Sequence, residues 1–371
     1  MKGRMDFLMK LLFIDDEPQN IEPVVRALTE AGENCEVSDF GETEKRIDDF
    51  RPDIVILDLF EGPTAEAKAT GLEEYDVVWN QRFCPLIVYS ALPEAATGRH
   101  PPHPFVKSAK KGKDLTPLTA AIQELQPNVE ALREVEKHVR KQLASALRDV
   151  APFAFEAFDA ADARNQAIVR SGRRRLAALM DAELKPGEKL APWEHYIYPP
   201  VGEDILLGDI LVRADSDRNE PDNFRVVLTP SCDLVTSSGR KAKVAEILVA
   251  CCCSMKAALK LINAENTGVG RLRDRFPSIL TQGYSDAMLP LPRLEGRIPC
   301  MSANLKNLEL LSFKEKVIGT GEAKYIRIGS MDSPFRELVS WAYLQVAGRP
   351  GLPDRDFDKW TEEILTECQK V

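Results

Sequence analysis

The sequence predicts an α/β domain built on a doubly wound, five-stranded parallel sheet, followed by a helical connector and an α+β domain with a small curved β-barrel. Short apolar runs, LLFI at 11–14, IVIL at 54–57 and LIVY at 86–89, alternate with helix-compatible stretches. Such runs suit parallel strands covered on both faces. After residue 186 the pattern changes to closely spaced Val-, Ile- and Leu-rich runs separated by polar turns, which suits antiparallel strands.

Within the first domain, helices are expected at Ile21 to Ala31, Glu42 to Phe50 and Leu72 to Trp79, and Gly32 stands where the first would stop. Further strands are expected at Cys35 to Ser38 and, briefly, at Phe105 to Val106. The loop ALPEAATGRHPPHPFVK holds four prolines and a glycine between Ser90 and Lys107, which leaves no room for a full helix. QPN at 126–128 is expected to end the last helix of this domain, giving boundaries of 1–126, 127–185 and 186–371. In the connector, Val139, Leu143, Ala146 and Val150 form a seam spaced four, three and four apart, as in a dimerising helix.

A chain of 371 residues needs two or three domains, and 44% hydrophobic with 29% charged residues excludes a disordered or collagen-like chain. The charge is uneven. Residues 1–150 carry 19 basic and 27 acidic side chains, net −8, and the remainder carry 30 and 31, net −1. Neither half is basic in the manner of a dedicated nucleic-acid binder. No stretch reaches about 18 consecutive apolar residues, so no membrane span is expected. The apolar run near the start meets Asp15, Asp16 and Glu17 with no small-residue cleavage site, which argues for a strand rather than a signal peptide and for a cytoplasmic location. The eight cysteines show no C-x-x-C spacing, and Cys251, Cys252 and Cys253 read as small buried hydrophobes.

In a doubly wound sheet the functional crevice lies beyond the carboxyl ends of the strands. Asp15, Asp16, Asp58, Ser90 and Lys107 are the polar residues placed at those ends. Clustered carboxylates repel one another unless a cation compensates them, and a hard ion such as Mg²⁺ suits an all-oxygen site. With that charge neutralised, Asp58 can act as a nucleophile toward a phosphoryl donor.

These residues sit in FIDDEPQN (13–20), IVILDLF (54–60), IVYSA (87–91) and PFVKSA (104–109), and through them the first 126 residues resemble the receiver domain of two-component response regulators. The resemblance implies a flavodoxin-like fold, with Asp15 and Asp16 as the acidic pair and Asp58 as phosphoacceptor. It further implies Mg²⁺ held by Asp15, Asp16, Asp58 and the Phe60 carbonyl, Ser90 as the switch hydroxyl and Lys107 as the essential lysine. A histidine kinase or phosphotransfer protein is the implied partner. Lys107 is followed by Ser108 where the family has a proline, and Pro104 stands at its aromatic switch position.

The later half is expected to open with helices at Phe153 to Asn165 and Gln166 to Glu183, the second carrying Arg173, Arg174 and Arg175 as candidate phosphate contacts. Strands follow in DILLGDILVRA, FRVVLTPSCDLV and KVAEILVACCC. GDILV, VVLTP and KVAEILVA are weakly similar to the SH3-like barrel of PemK-type toxin endoribonucleases, whose catalytic arginines and hydroxyl residue have no match here. Cys232 beside Asp233 is a candidate thiol nucleophile, with His195 the one histidine of this half, set against a structural turn. Phe335, Leu338, Val339, Trp341, Ala342 and Leu344 form an apolar helical stripe expected in the core. The sequence thus predicts a homodimeric response regulator whose output half binds protein or nucleic acid. The alternatives are a receiver-like scaffold without phosphorylation and a receiver-controlled, nuclease-like enzyme.

Overall fold

The computed structural model describes residues 8–60, 70–80, 83–96, 103–182, 187, 189–312, 318–319, 323–349 and 354–369. The chain forms two compact units, Met1–Pro186 and Gly187–Val371. EGPTAEAKA at 61–69 and the loop segment 97–102, which includes His100, lie outside the described residues.

In the first unit, β1 (Lys10–Ile14), α1 (Pro18–Glu30), β2 (Asn34–Ser38), α2 (Thr43–Phe50), β3 (Ile54–Leu57), α3 (Gly71–Asn80), β4 (Leu86–Ser90), β5 (Val106–Lys110), α4 (Thr116–Ala157) and α5 (Ala161–Asp181) follow in order. The five strands pair in parallel in the order β2-β1-β3-β4-β5, the doubly wound sheet that the sequence predicts. Strand alternation divides the core. Leu11, Phe13, Ile54, Ile56, Ile87 and Tyr89 pack on one face with α1 and α4 residues, and Leu12, Ile14, Val55, Leu57, Leu86 and Val88 pack on the other with α2 and α3 residues. In place of a helix between β4 and β5, the described residues hold one 3₁₀ turn at Pro93–Ala96.

Three boundaries in this unit differ from the sequence expectation. Strand β5 runs four residues past Val106, in register from Leu86 opposite Val106 to Ser90 opposite Lys110. Helix α4 passes through Gln126, Pro127 and Asn128 without a break and is 42 residues long. A proline inside a helix costs about 3 kcal/mol, but Leu125 and Val129 on either side are both buried in the sheet core. Each such side chain contributes about 1.5–3 kcal/mol on burial, enough to offset the proline.

Past Val129, Arg133 donates from Nε to Asp53 Oδ1 at 2.5 Å and from Nη2 to the Leu8 carbonyl at 3.1 Å. Asp53 Oδ2 also accepts from the Lys10 amide at 2.6 Å, so one partly buried carboxylate ties α4 to the base of β1. The next helix turn falls at 158–160, not at 165–166 as expected, and α5 doubles back. Its return is fixed by Arg175 to Asp149 at 3.2 Å and by Gly172, where an added Cβ would lie 3.3 Å from Leu147. Ala146, in the seam predicted for dimerisation, is fully buried, while Leu143 remains 39% exposed.

In the second unit, β6 (Tyr196–Ile197), β7 (Asp209–Arg213), β8 (Phe224–Val227), α6 (Ser231–Leu234), β9 (Glu246–Ser254), α7 (Met255–Ala258), α8 (Val269–Gln282), β10 (Met288–Leu291), β11 (Met301–Ser312), β12 (Tyr325–Met331), α9 (Phe335–Ala347) and α10 (Phe357–Cys368) follow. The strands form a seven-stranded antiparallel sheet in the order β10-β11-β9-β8-β7-β12-β6. In a flat sheet β11 and β12, four positions apart, would lie about 19 Å from each other. Tyr325 of β12 nevertheless donates to Glu309 of β11 at 3.3 Å, and Tyr196 of β6 donates to the Pro292 carbonyl just past β10 at 2.8 Å. The sheet is therefore strongly curved, with its outer strands brought toward each other. Of the helical stripe expected in the core, Val339 and Ala342 are buried, but Trp341 and Leu344 are exposed, because α9 presents one face to the sheet.

Replacing Asp53 with Ala removes the acceptor shared by Arg133 and the Lys10 amide. Because Arg133 is half-exposed, the expected loss is about 1–3 kcal/mol. Urea unfolding followed by peptide-resolved hydrogen exchange should place that loss in the first unit and leave the second unchanged.

Candidate functional site

The strongest concentration of polar groups in the first unit lies where β1, β3, β4 and β5 end. Asp15 follows β1, Asp58 follows β3, Ser90 ends β4 and Lys111 follows β5. Parallel strands all point their carboxyl ends the same way, which is why separate segments deliver these side chains to one edge. Ligand oxygens of Asp15, Asp16 and Asp58 all lie within 4.8 Å of one another. Lys111 Nζ stands between two of them, 2.6 Å from Asp15 Oδ2 and 2.7 Å from Asp58 Oδ2.

Local backbone holds the other oxygens. Asp15 Oδ1 accepts from the Glu17 amide at 3.0 Å, and Asp58 Oδ1 accepts from the Leu59 amide at 2.6 Å. Asp58 N donates to the Ile14 carbonyl at 2.9 Å and Lys111 N to the Ser90 carbonyl at 2.8 Å, so adjacent strand ends are laced together around the site. Burial raises the pKa of Asp15 above the ordinary carboxylate value, despite the opposing effect of Lys111. Burial also works against the Lys111 ammonium, but its hydrogen bonds to Asp15 and Asp58 prevail and raise its pKa. The Ser90 hydroxyl is fully buried, and among the described residues it has no hydrogen-bond partner.

An all-oxygen donor set of three carboxylates is one that a hard divalent cation fits. The Phe60 amide lies 3.4 Å from Asp58 Oδ1, which puts the backbone of Phe60 beside the same carboxylate.

Lys107, the lysine expected here, is elsewhere. It sits opposite Ile87 in the sheet, and its Nζ pairs with Glu124 of α4 at 2.7 Å. Four residues of strand separate it from Lys111, about 13 Å at the usual rise. The sequence carries a signal for the lysine that reaches the carboxylates: β5 must be about as long as β4 to reach the same edge, and counting five residues from Val106 ends at Lys110 with Lys111 next.

The candidates elsewhere do not gather. Arg173 and Arg174 are exposed on α5, and Arg175 is engaged by Asp149. In the second unit the exposed Cys232 has its Sγ 3.6 Å from Asp233 Oδ1, which also lies 3.4 Å from Lys243 Nζ. His195 stacks on Phe335 at 3.7 Å, with its Nδ1 buried. Among the described residues no hydrogen bond joins His195 to Cys232 or Asp233, so the candidate thiol has no imidazole paired with it there.

No protein-family model matches the chain, and no curated protein matches it. Solved structures of response regulators match its N-terminal third. One is the PhyR stress response regulator, 20% identical over 32% of this chain and 45% of that one, with a TM-score of 0.26. A second is PhyR from Brucella abortus, 19% identical over 35% of this chain and 53% of that one, TM-score 0.29. A third is TrrA from Thermotoga maritima in complex with Mg²⁺-BeF, 22% identical over 32% of this chain and 99% of that one, TM-score 0.24. The chain spans about half the length of the PhyR structures it matches.

One contact fixes the Asp58 backbone from outside the sheet. A Cβ added to Gly71 would lie 2.1 Å from the Asp58 carbonyl oxygen and 2.6 Å from Leu59 Cα. Gly71→Ala is therefore expected to push α3 away from the end of β3 at a cost of about 1–3 kcal/mol. A lowered thermal midpoint, together with altered amide shifts at Asp58 and Leu59, would register that displacement.

Proposed function

We propose that the first unit is a phosphorylation-controlled receiver and that the second unit is its output domain. The observation that carries this reading is the Lys111 ammonium bridging Asp15 and Asp58 within a cluster of three carboxylates. In the proposed reaction an Asp58 carboxylate oxygen attacks the phosphorus of a phosphohistidine on a histidine kinase or phosphotransfer protein. The P–O bond forms as the P–N bond breaks, and the imidazole leaves with the electron pair and takes up a proton.

Asp15, Asp16, Asp58 and the Phe60 carbonyl would hold Mg²⁺, which supplies charge neutralisation for the incoming phosphoryl group. Lys111 then exchanges one carboxylate partner for a phosphoryl oxygen, and Ser90 donates its hydroxyl to another. A buried hydroxyl without a partner costs about 1–3 kcal/mol, so a new acceptor at that point favours the modified state. Lys107 has no part in this scheme.

The long α4 begins beside Lys111 and is proposed to carry the change onward. The second unit is read as a module that binds protein or nucleic acid, because Cys232 and His195 form no catalytic pair. A homodimer through the α4–α5 hairpin belongs to the same proposal, supported by the exposed Leu143 and Val169.

Beryllofluoride with Mg²⁺ tests the site directly. Wild type should bind and Asp58→Asn should not. Lys111→Met should lower binding or acetyl-phosphate labelling at least about tenfold, equivalent to about 1.4 kcal/mol, whereas Lys107→Met stays near wild type. Equal losses in the two lysine variants would overturn the assignment.

Mg²⁺ binding should also depend on pH through Asp15. A protonated carboxylate does not ligate, so affinity is full well above the pKa of Asp15 and is lost as pH falls through it. Because burial places that pKa above 3.8, the loss should begin at higher pH than for an ordinary aspartate. Calorimetric Mg²⁺ titrations at constant ionic strength would show it, and affinity independent of pH down to 3.8 would contradict it.

A further inference from the structure

We infer that Tyr89 is a positioning residue that couples the carboxylate crevice to helix α4, an inference that rests on Asp58 being the phosphoacceptor. Tyr89 is the penultimate residue of β4 and is 2% exposed. Its ring belongs to the core on the α4 face of the sheet, in one cluster with Ala109 of β5 and Leu118, Ala121 and Ile122 of α4. Its hydroxyl end meets the backbone of Gly112 and lies within electrostatic range of Lys111, Asp15 and Asp58. One rigid side chain thus spans from the turn that carries Lys111 to the first turns of α4.

Strand alternation gives this position its meaning. Ser90 and Tyr89 are successive residues and so face opposite sides of the sheet. The end of β4 therefore senses the crevice twice, with Ser90 on one side and Tyr89 on the side covered by α4. The receiver pattern sets an aromatic ring three residues before the lysine, and counting back from Lys111 that position is Ser108, an exposed residue of β5. No ring is available there to report the state of the site across the outer face of β5. Tyr89 offers a route through the interior instead. When Lys111 leaves a carboxylate for a phosphoryl oxygen, Gly112 moves with it, the contact at the Tyr89 hydroxyl changes, and the ring transmits that change to Leu118 and Ile122.

The test compares full-length wild type with Tyr89→Phe, which removes the hydroxyl and keeps the ring. Each is titrated with beryllofluoride and Mg²⁺, and peptide-resolved hydrogen exchange is measured over α4 and α5 with and without the ligand. Tyr89→Phe is expected to bind within about threefold of wild type, a difference of less than about 0.7 kcal/mol, while the ligand-driven exchange difference in α4 falls by at least half. A merely structural role would lower the melting temperature of Tyr89→Phe but leave that difference intact, and such a result overturns the inference. So does a wild type that binds beryllofluoride with no change in α4. A wild type that binds none removes the phosphoacceptor reading, and the coupling with it, and is recognised by the binding measurement alone. Should Tyr89→Phe fail to fold, Gly112→Pro removes the backbone N–H and leaves the ring in place, at a position where the receiver pattern itself has proline. It should uncouple α4 in the same way, and full retention of the α4 response would reject the inference.

Discussion

The constraint on which the first unit depends is electrostatic. Three carboxylates brought within 4.8 Å of one another repel in a partly buried crevice, and a cation among them offsets that repulsion. Lys111 supplies that cation, and both carboxylates it bridges keep their second oxygen on a backbone amide. The strand ends must therefore hold their spacing, since Asp15, Asp58 and Lys111 arrive from three strands and meet within a hydrogen bond's length. The close approach of Gly71 to the Asp58 carbonyl and the continuous packing of β4 between β3 and β5 follow from the same need.

The parts of this arrangement that were legible in the sequence are those whose burial is complete. Strands β1, β3 and β4 are covered on both faces, so LLFI, IVIL and LIVY are apolar throughout and their ends, and with them Asp15, Asp58 and Ser90, could be located. Strand β5 lies at the sheet edge and has only Ala109 fully buried, so VKSAK reads as polar chain and the strand was expected to stop at Val106. That early stop put Lys107 at the crevice in place of Lys111. The same physics hid β11 and β12, where Lys306, Glu309 and Arg327 interrupt the apolar pattern of a curved sheet. Sequence spacing gave no information on whether Cys232 and His195 would meet, because only the curvature of that sheet decides it.

Helix α4 shows why a local breaker was a poor guide to organisation. Pro127 removes one backbone hydrogen bond, but the residues on either side of it are in the sheet core, and packing outweighed propensity. The chain therefore has no joint between the last helix of the α/β domain and the start of the connector. Asp53 and Arg133 reinforce this continuity one turn beyond Val129.

A continuous helix changes what a small event at the crevice can do. At 1.5 Å per residue, α4 is about 63 Å long, and the arm beyond Arg133 is about 36 Å of it. A tilt of about 5° at the sheet would displace the end of that arm by about 3 Å, comparable to the helix shifts by which switching proteins commonly act. A flexible linker at 126–128 would dissipate such a tilt, whereas an unbroken helix delivers it. The helix starts within a few residues of Lys111, and Leu118, Ala121 and Ile122 in its first turns share a core with Tyr89. The charge constraint at the strand ends and the length of α4 thus act on the same short segment, Lys111 to Ile122, which is where a change of charge on Asp58 would first become a change of shape.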